Sequence, residues 1–251
     1  MSAEREKSIL EILKVEGEVG VESLRKRLFV SEATVRRELK NMEQKGLIIR
    51  PHGKAVLNVG FADKNAVFSQ RENVASLVKD KLALEAVKNC ITDGKVVFLD
   101  ASSTAMHTVK YLDNFSDLIV ITSGIKTLLE LSKTSIKHYS TGGMAITASS
   151  SLVGQSAIDM LNLYNADVCF VSCNGVSDEG FATDSSIAEN DVRRAIMRRS
   201  KRKILLIDDS KIGKERWNNL CHVSEFDEVY CNAPLPENIM RKIKRFKLIN
   251  V

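Results

Sequence analysis

The chain has 251 residues, which is enough for one large domain or for a small domain joined to a larger one. Hydrophobic residues make up 44% of the sequence and charged residues 27%, as in ordinary globular proteins, so disorder on a large scale is excluded. The formal net charge of +5 suits an anionic partner, but many metabolic enzymes carry a similar charge, so it excludes neither class of protein.

The cysteines and the apolar runs restrict the chemistry and the compartment further. Five cysteines without C-x-x-C spacing argue against a disulfide framework and against a zinc finger. The first residues are charged, and no run of residues is apolar enough for a membrane span. We therefore expect a cytoplasmic protein with no metal site, no cofactor and no membrane partner.

The N-terminal part of the chain has the pattern of a winged helix-turn-helix. Apolar residues at helical spacing predict a first helix over residues 3–15 and a short basic helix over residues 21–28. Phe29 and Val30 then supply an apolar corner, and Ser31 is placed to cap a third helix by accepting a backbone N–H. This order of elements predicts a tight turn between the second and third helices.

The third helix combines an apolar face with a cationic surface. Its core-facing residues are Val35, Leu39 and Met42, and the residues on its remaining surface are Thr34, Arg36, Arg37, Lys40 and Asn41. In a helix-turn-helix this helix enters the major groove, where an arginine can donate two hydrogen bonds to a guanine, and we expect Thr34 and Arg37 to read bases. Arg36 and Lys40 are instead expected to contact phosphates, although the assignment among these four residues is open.

A wing is predicted to follow the third helix, with a strand over residues 47–50, a turn over residues 51–54 and a returning strand over residues 55–57. Cations at its tip can reach the DNA backbone or the minor groove. The complete set of predicted DNA-contacting residues is Ser31, Thr34, Arg36, Arg37, Lys40, Arg50, His52 and Lys54. Three amphipathic helices and a hairpin also fit a dimerisation module, but the cap, the cationic helix and the wing together favour DNA binding.

An α/β domain is predicted after a linker over residues 58–73, where the sequence has no sustained period. A helix is expected over residues 74–90, and strands then alternate with helices, which indicates a mostly parallel sheet covered by helices. The predicted strands span residues 96–99, 118–121, 138–141, 168–172, 204–207 and 228–231. The other predicted helices span residues 104–112, 125–132, 152–161, 187–199 and 237–244.

Small polar residues follow the predicted strands, and the carboxyl ends of parallel strands form the edge where open α/β sheets bind ligands. The first strand is followed by Asp100, Ser102, Ser103 and Thr104, and the others by Thr122, Ser123, Gly142, Gly143, Asn174, Gly175, Asp208, Ser210 and Lys211. The first group places hydroxyls at a helix N-terminus, a natural seat for a phosphate, whose charge Lys211 can neutralise. Each turn alone is ordinary, but their convergence favours an anionic polyol ligand.

Two motifs near the N-terminus carry a family resemblance. V-S-E-A-T-V-R-R-E-L at residues 30–39 is followed by R-P-H-G-K-A at residues 50–55. These motifs resemble V-S-x-x-T-I-R-R-D-L and R-x-H-G-G-A of the DeoR-type family of bacterial sugar-operon repressors. Thr34, Arg36 and Arg37 match directly, whereas Lys54 replaces the usual second glycine.

The resemblance continues through nearly the whole chain. D-A-S-S-T at residues 100–104 resembles the family's D-x-G-[ST]-T, with Ser102 where glycine is usual, and D-D-S-K-x-G at residues 208–213 resembles D-x-[ST]-K-x-G. The residues that also match or fall in register are Thr122, Ser123, Thr141, Gly142, Gly143, Gly175, Gly180, Thr183 and Glu189. Arg193 replaces a common lysine. The resemblance implies an effector domain that is similar to ribose-phosphate isomerase and binds a phosphorylated sugar, with Glu189 among the effector-binding residues.

Three functions are open, and the first is preferred because the resemblance is to regulators. It is a repressor of a sugar-metabolism operon, in which double-stranded operator DNA and a phosphorylated sugar effector prefer different conformations. The second is a sugar-phosphate isomerase with an accessory DNA-binding domain, in which a carboxylate acts as general base. The candidate bases are Asp100, Asp184, Glu189 and Asp208. The third is an assembly protein whose wing and third helix bind another protein.

The sequence thus predicts an α/β protein of two domains with no enzymatic activity. A winged helix-turn-helix over residues 1–57 and a linker over residues 58–73 precede a mostly parallel α/β effector domain over residues 74–251, which resembles ribose-phosphate isomerase. We expect a homodimer or homotetramer that assembles mainly through residues 74–251 and presents paired recognition helices to the operator.

Overall fold

The computed structural model describes residues 2–16, 18–44, 47–50, 54–57, 68, 71 and 75–251. The chain divides into two compact units, Met1–Ala66 and Val67–Val251. None of the helices in the described ranges combines the length and the apolar character that spanning a bilayer requires.

The described part of the N-terminal unit consists of helices and a small antiparallel sheet. Its elements are α1 (Ser2–Glu16), β1 (Glu18–Gly20), α2 (Val21–Leu28), α3 (Glu32–Gln44), β2 (Ile48–Ile49) and β3 (Lys54–Leu57). The strands pair in the order β1-β3-β2, with Val19 opposite Ala55. The three predicted helices are confirmed, whereas β1 was not predicted because three residues are too few to show a strand period.

The core of the N-terminal unit fixes the orientation of α3. The buried side chains are Ile9, Leu13, Val19, Leu24, Val35, Leu39, Met42, Ile48 and Ala55. Burial of each large apolar side chain contributes about 1.5–3 kcal/mol. Because the three buried apolar residues of α3 share one face of the helix, the opposite charged face is turned to solvent.

The predicted apolar corner between α2 and α3 is wrong for one of its two residues. Val30 packs against the core, but Phe29 is 93% exposed. Phe29 is the C-cap of α2: its N–H donates to the carbonyl oxygen of Arg25, and its φ of 52° is left-handed. The chain reverses at this left-handed residue, as helices commonly do at their C-termini, and the ring is left in solvent.

The C-terminal unit is a parallel α/β domain. Its helices are α4 (Ser76–Cys90), α5 (Ser103–Met106), α6 (Val109–Leu112), α7 (Ile125–Leu131), α8 (Gln155–Asn162), α9 (Ile187–Arg198) and α10 (Glu237–Met240). Its strands are β4 (Val96–Leu99), β5 (Ile119–Thr122), β6 (Lys137–Ser140), β7 (Met144–Ile146), β8 (Ser151–Val153), β9 (Ala166–Val171), β10 (Gly175–Val176), β11 (Phe181–Asp184), β12 (Ser200–Leu206), β13 (Asn218–His222), β14 (Glu228–Cys231) and β15 (Phe246–Leu248). The main sheet has seven parallel strands in the order β15-β14-β12-β9-β4-β5-β6.

Apolar side chains cover both faces of the main sheet. Val97 and Leu99 of β4 belong to a buried cluster with Leu82 of α4, whereas Phe98 belongs to a second cluster with Ala195 of α9. Alternate residues of a strand point to opposite faces, so an uninterrupted apolar run such as V-V-F-L marks a strand that is buried on both sides. The predicted parallel sheet covered by helices is therefore confirmed.

Several short elements differ from the predictions. The helix predicted over residues 152–161 begins at Gln155, because Ser151–Val153 form β8, which pairs with β7. The helix predicted over residues 104–112 is divided into α5 and α6. β10, β11 and β13 form a separate antiparallel sheet that was not predicted. Each of these strands has at most five residues, and such runs carry too little periodicity to be recognised.

Most of the segment predicted as a linker lies outside the described residues. Within residues 58–73 the structure describes Phe68 and Arg71. Phe68 is 1% exposed, and its N–H donates to the carbonyl oxygen of Ala148 at 2.9 Å. At Phe68 the chain is therefore already packed into the C-terminal unit.

Replacing Phe29 by glycine is expected to stabilise the N-terminal unit by about 1 kcal/mol. Glycine adopts the left-handed conformation without the steric cost of a Cβ, and the exposed ring contributes little to the core. Thermal unfolding of the full-length protein, followed by circular dichroism, measures the change. Phe29→Ala removes the ring but keeps the Cβ, so equal stabilisation by both variants would contradict the backbone explanation.

Candidate DNA-binding and effector sites

Ser31 caps the recognition helix α3, as its sequence position predicts. The backbone N–H of Thr34 donates to Ser31 Oγ at 3.2 Å, and Ser31 Oγ lies 2.9 Å from Thr34 Oγ1. The cap satisfies one of the donors that the first turn of a helix leaves without an internal acceptor. Ser31 therefore has a structural role, and the hydroxyl of Thr34 has a partner within the protein.

The cations of α3 differ in their surroundings. Arg36 pairs with Glu32 one turn earlier, at 2.6 Å. Arg37 and Lys40 are exposed, and no carboxylate among the described residues lies within ion-pair distance of either. An unpaired cation can contact a base or a phosphate without first giving up a protein partner. Arg37 and Lys40 are thus the most available cations on this helix.

The wing differs from its prediction at Lys54. Lys54 is the first residue of β3 rather than the last residue of the turn, and its Nζ lies 2.5 Å from Glu18 Oε1 on β1. Both side chains are exposed, and ion pairs of this kind are weak and readily exchanged. Arg50 is half-buried at the end of β2. His52 lies outside the described residues.

The predicted effector residues lie at the carboxyl edge of the main sheet. Asp100 follows β4, Thr122 ends β5 and Ser123 follows it, Gly142 and Gly143 follow β6, Asn174 follows β9, and Asp208 follows β12. Because the strands are parallel, these ends lie on the same edge, where ligands of open α/β sheets bind.

Arg193 connects three elements at this edge. It is 4% exposed, and its guanidinium contacts three carboxylates. Nε lies 2.9 Å from Asp100 Oδ2, Nη1 lies 2.7 Å from Asp184 Oδ2, and Nη2 lies 3.4 Å from Glu189 Oε2. Burial lowers the pKa of Arg193, but the nearby carboxylates outweigh burial and raise it. Arg193 therefore stays charged. These four residues are called the Arg193 cluster below.

Asp100 fixes the loop that follows β4. Its Oδ1 accepts hydrogen bonds from the backbone N–H and the hydroxyl of Ser102, at 3.0 and 2.5 Å. Its Oδ2 accepts from the N–H of Ser172 at 3.2 Å and from Arg193. A carboxylate has about four acceptor positions, and these donors occupy all of them. Asp100 thus holds the loop in place, and Ser102 in turn caps α5 by accepting from Ala105 N–H at 3.0 Å.

A small cleft with room for about one water molecule lies beside the Arg193 cluster. It is lined by Ala101, Ser123, Ser151, Leu152, Val153, Glu189, Val192 and Arg193. Of the predicted hydroxyl residues, Ser123 lines this cleft, and Ser103, Thr104, Thr122 and Ser123 are each at most 5% exposed. Ser151 was not predicted, because it belongs to a run of serines with no distinguishing pattern. Its hydroxyl donates to Glu189 Oε1 at 3.1 Å and so joins β8 to the cluster.

The turn after β12 presents Lys211. Asp208 Oδ1 accepts a hydrogen bond from Ser210 N–H at 3.0 Å, which shapes this turn. Lys211 is half-buried, and within the described ranges it has no carboxylate at ion-pair distance. Gly175 allows the chain after Lys211 to come close, because a Cβ at this position would collide with the carbonyl oxygen of Lys214.

Asn174 and the glycines of the turn after β6 also stabilise the structure around the carboxyl edge of the sheet. Asn174 Nδ2 donates to Asp184 Oδ1 at 2.9 Å, which connects the end of β9 to the Arg193 cluster. Gly143 has a φ of 103°, and a Cβ there would lie 2.5 Å from the carbonyl oxygen of Val153. Gly142 is exposed. The turn after β6 therefore requires glycine at residue 143 to pack against the end of β8.

Known proteins resemble this chain over both units. The family model of the DeoR-like helix-turn-helix domain matches residues 5–59, and that of the DeoR C terminal sensor domain matches residues 75–232. The HTH-type transcriptional regulator GolR of Listeria innocua is 34% identical over 213 residues, which cover 84% of this chain and 82% of that protein. The glycerol-3-phosphate regulon repressor of Escherichia coli is 26% identical over 239 residues, which cover 95% and 94%.

Among solved structures, ribose 5-phosphate isomerase A of Methanocaldococcus jannaschii matches with a TM-score of 0.42 and 20% identity, over 55% of this chain and 56% of that one. The two family models together span most of the chain, and the resemblance predicted from the sequence motifs is confirmed. The chain belongs to the DeoR family of helix-turn-helix transcriptional regulators.

Proposed function

We propose that this protein represses a sugar-metabolism operon and that a phosphorylated sugar controls its affinity for the operator. The observation that carries the proposal is the capped recognition helix, whose Arg37 and Lys40 are exposed and, among the described residues, unpaired. Repression is supported by the relative from Escherichia coli, which is a glycerol-3-phosphate regulon repressor.

Arg37 is the proposed base-reading residue, with Thr34 beside it. Both lie in the N-terminal half of α3, which is the part of a recognition helix that contacts base edges. Lys40, Arg36 and Lys54 are proposed to contact phosphates. For Arg36 and Lys54 this means exchanging a surface carboxylate for a phosphate, which costs little because exposed ion pairs contribute about 0–1 kcal/mol.

The effector is proposed to bind at the carboxyl edge of the sheet. Lys211 supplies a cation without a carboxylate partner among the described residues for its phosphate, and the hydroxyls of Ser123, which lines the cleft, and of Ser103, at the start of α5, supply polar partners. Glu189 lines the same cleft and can accept hydrogen bonds from sugar hydroxyls. In this arrangement Asp100 acts indirectly, by holding the loop that bears Ser103.

Binding without turnover is favoured over isomerase activity. An isomerase needs a carboxylate that can take a proton from a substrate carbon. The candidate bases are all engaged: Asp100, Asp184 and Glu189 accept hydrogen bonds from Arg193, and Asp208 accepts from Ser210. Asp100 and Asp184 each accept four hydrogen bonds from protein donors and must give one up before acting as a base, whereas Glu189 and Asp208 each accept two from the described residues. The relatives, which carry the names of regulators, support the same choice.

The two units of the chain have different proposed roles. Residues 1–57 bind DNA, and residues 74–251 bind the effector and form the contacts of a homodimer or homotetramer. A symmetric dimer presents two recognition helices to paired half-sites, which raises affinity and specificity above those of one helix.

Arg37→Ala is expected to weaken binding to an operator selected from a random duplex library by about tenfold or more, because a bidentate base contact contributes about 1–3 kcal/mol. Fluorescence anisotropy measures the Kd. Arg36→Ala is expected to lose less affinity, and the loss should be similar for unrelated duplexes. Arg198→Ala removes the same charge from an exposed position of the C-terminal unit and serves as the control. Unchanged operator affinity of Arg37→Ala would refute its role.

Lys211→Ala is expected to raise the Kd for a phosphorylated sugar about tenfold, because an ionised partner contributes about 1.5–3 kcal/mol to a hydrogen bond. Calorimetric titration with ribose 5-phosphate, fructose 6-phosphate and glycerol 3-phosphate measures the effect. Lys242→Ala, which removes an exposed lysine elsewhere on the same unit, is the matched control. Equal affinities of Lys211→Ala and the control variant would exclude Lys211 as the phosphate-binding cation.

No conversion of ribose 5-phosphate or fructose 6-phosphate to an isomer is expected when the purified protein is incubated with either compound for several hours. Proton NMR of the mixture follows both isomers directly. Steady conversion that disappears in Glu189→Gln would instead establish an isomerase.

A further inference from the structure

A positively charged surface lies at the amino edge of the main sheet, opposite the edge that carries the proposed effector site. The strands β15, β14, β12, β9 and β4 are neighbours in this order, and because they are parallel they begin at the same edge. Charged residues precede or begin each of these strands. The cations are Lys95, Lys201, Arg202, Lys203, Lys244 and Arg245, and the carboxylates are Asp167, Asp227 and Glu228. The six cations are called the amino-edge stripe below.

The carboxylates of this edge are too few to neutralise the stripe. Asp167 Oδ1 lies 2.9 Å from Lys201 Nζ and 3.9 Å from Lys95 Nζ, so one carboxylate serves two lysines. Asp227 Oδ1 lies 2.8 Å from Lys244 Nζ. Six cations and three carboxylates leave three formal positive charges on this surface, whereas the whole chain has a net charge of +5. The positive charge of the protein is therefore concentrated here rather than spread evenly.

Glu228 is the third carboxylate, and it holds two guanidiniums. It is 2% exposed, and its Oε1 accepts hydrogen bonds from Arg202 and, at 3.1 Å, from Arg245. Its Oε2 accepts from the hydroxyl of Tyr230 at 2.9 Å. An arginine has five N–H donors, so most donors of both guanidiniums remain for another acceptor. A buried group thus fixes two cations that can still bind an anion.

The cations of the stripe lie farther out than the carboxylates. The side chains of Lys201, Lys244 and Arg245 are 74%, 63% and 62% exposed, whereas the most exposed of the three carboxylates, Asp227, is 30% exposed. Successive residues of a strand point to opposite faces, so the cations of β12 line both sides of the edge. A partner that approaches from solvent therefore meets ammonium and guanidinium groups first.

The ends of the neighbouring helices account for only part of this charge. α4, α8 and α9 each precede a strand of the sheet and end at the same edge. The C-terminus of a helix carries about −0.5 of an elementary charge, so three helix ends supply about −1.5, which nearby cations offset. About half of the excess of three positive charges is left after this correction. The stripe therefore carries more charge than the fold needs.

The stripe has the length of a site for a linear polyanion. Neighbouring strands lie about 4.8 Å apart, so five strands extend over about 19 Å. One strand of duplex DNA carries a phosphate for about every 3.4 Å of the helix axis, so this length corresponds to about five or six phosphates. The chain belongs to a family of DNA-binding regulators, and duplex DNA is the polyanion to which its helix-turn-helix brings it. These observations favour DNA as the partner.

We propose that the amino-edge stripe is a second DNA-binding surface, which binds the phosphate backbone of duplex DNA without reading its sequence. It shares no residue with the recognition helix α3 or with the proposed effector site. Lys201 lies near the start of β12, about 17 Å from Leu206 at the other end of that strand, since a strand rises about 3.3 Å per residue. A duplex on the stripe and an effector at the carboxyl edge therefore use different groups.

Two double variants of the full-length protein test the proposal. Lys201→Gln with Lys244→Gln, the stripe variant, removes two exposed cations that are each paired with a carboxylate. Lys110→Gln with Lys133→Gln is the matched control, because these lysines are 65% and 66% exposed, are likewise paired, and lie outside the stripe. Both changes lower the net charge equally, so a difference between them reports the position of the charge. Thermal unfolding shows whether each variant is folded.

Fluorescence anisotropy measures the binding of a labelled duplex of unrelated sequence, about 20 base pairs long and thus several times the length that the stripe covers. The protein is first saturated with an unlabelled operator duplex selected from a random library, so that its recognition helices are occupied. The titration is repeated without the operator. Each series runs from about 50 to 200 mM salt, because the slope of log association constant against log salt reports the number of neutralised phosphates.

The operator-saturated parent protein is expected to bind the second duplex with a slope of about −3 to −5. In the stripe variant the slope should become smaller in magnitude by about two, because each lysine that contacts a phosphate contributes about one. The control variant should keep the slope of the parent. The same difference between the two variants is expected without the operator, so the test holds even if no operator is selected.

Two results would overturn the proposal. One is an operator-saturated parent protein that binds no second duplex at the lowest salt concentration, and the other is an equal slope for the stripe variant and the control. Neither result bears on the proposed control of the operon by a sugar. Vesicles of phosphatidylserine and phosphatidylcholine are the comparison: equal slopes on DNA, with vesicle binding that only the stripe variant loses, would assign the stripe to a lipid surface. If the stripe variant is unfolded, Lys201→Gln alone decides, with an expected change in slope of about one.

Discussion

The buried contact of Arg193 with Asp100, Asp184 and Glu189 is the constraint on which the carboxyl edge of the sheet depends. Removing one partner of a buried ion pair costs about 3–5 kcal/mol, because the remaining charge is left without compensation. Lysine would not replace arginine here, since its donors share a single nitrogen, whereas Arg193 uses three nitrogens for three carboxylates. The geometry of the loop after β4, the end of β11 and the start of α9 therefore follows from one side chain.

Because of this contact, some charged side chains at the carboxyl edge of the sheet stabilise the fold, and others are available to bind a ligand. Asp100 and Asp184 are committed to Arg193 and to other protein donors, whereas Lys211 has no carboxylate within ion-pair distance among the described residues. The N-terminal unit makes a similar separation on its surface, where Arg36 is paired and Arg37 is available. Salt screens the exposed cations over about 8–10 Å but acts much less on buried ones. Ionic strength therefore affects the two sites unequally.

Hydrophobic periodicity predicted most of the fold, because the spacing of apolar residues within a single helix or strand indicates which of the two it forms. β4 and β14 were predicted with their observed limits, since each is an apolar run buried on both faces, and α2 was predicted by its amphipathic spacing. β1, β10 and β15 are too short to show a period. The turn residue Phe29 was misassigned to the core because a pattern of apolar residues does not reveal a left-handed backbone.

The candidate site was predictable in position but not in its internal bonding. The strand ends placed Asp100, Ser123 and Lys211 at one edge, and the family motifs added Glu189. The partners of Asp100 are 72 and 93 residues away in sequence, at Ser172 and Arg193, so local pattern could not show that this carboxylate is already saturated. Ser151 lies in a plain serine run, and its hydrogen bond to Glu189 follows from tertiary packing alone.

The strand order of the main sheet also has a consequence for biosynthesis. β9 lies between β4 and β12, so the centre of the sheet closes only after the chain has been made through residue 206. The N-terminal unit is assembled from contacts among neighbouring elements, and folds rich in local contacts form fast. At ordinary rates of translation, the ribosome needs on the order of ten seconds to extend the chain from α3 to Arg193. A nascent chain therefore acquires a folded third helix before it can form the carboxyl edge of the sheet.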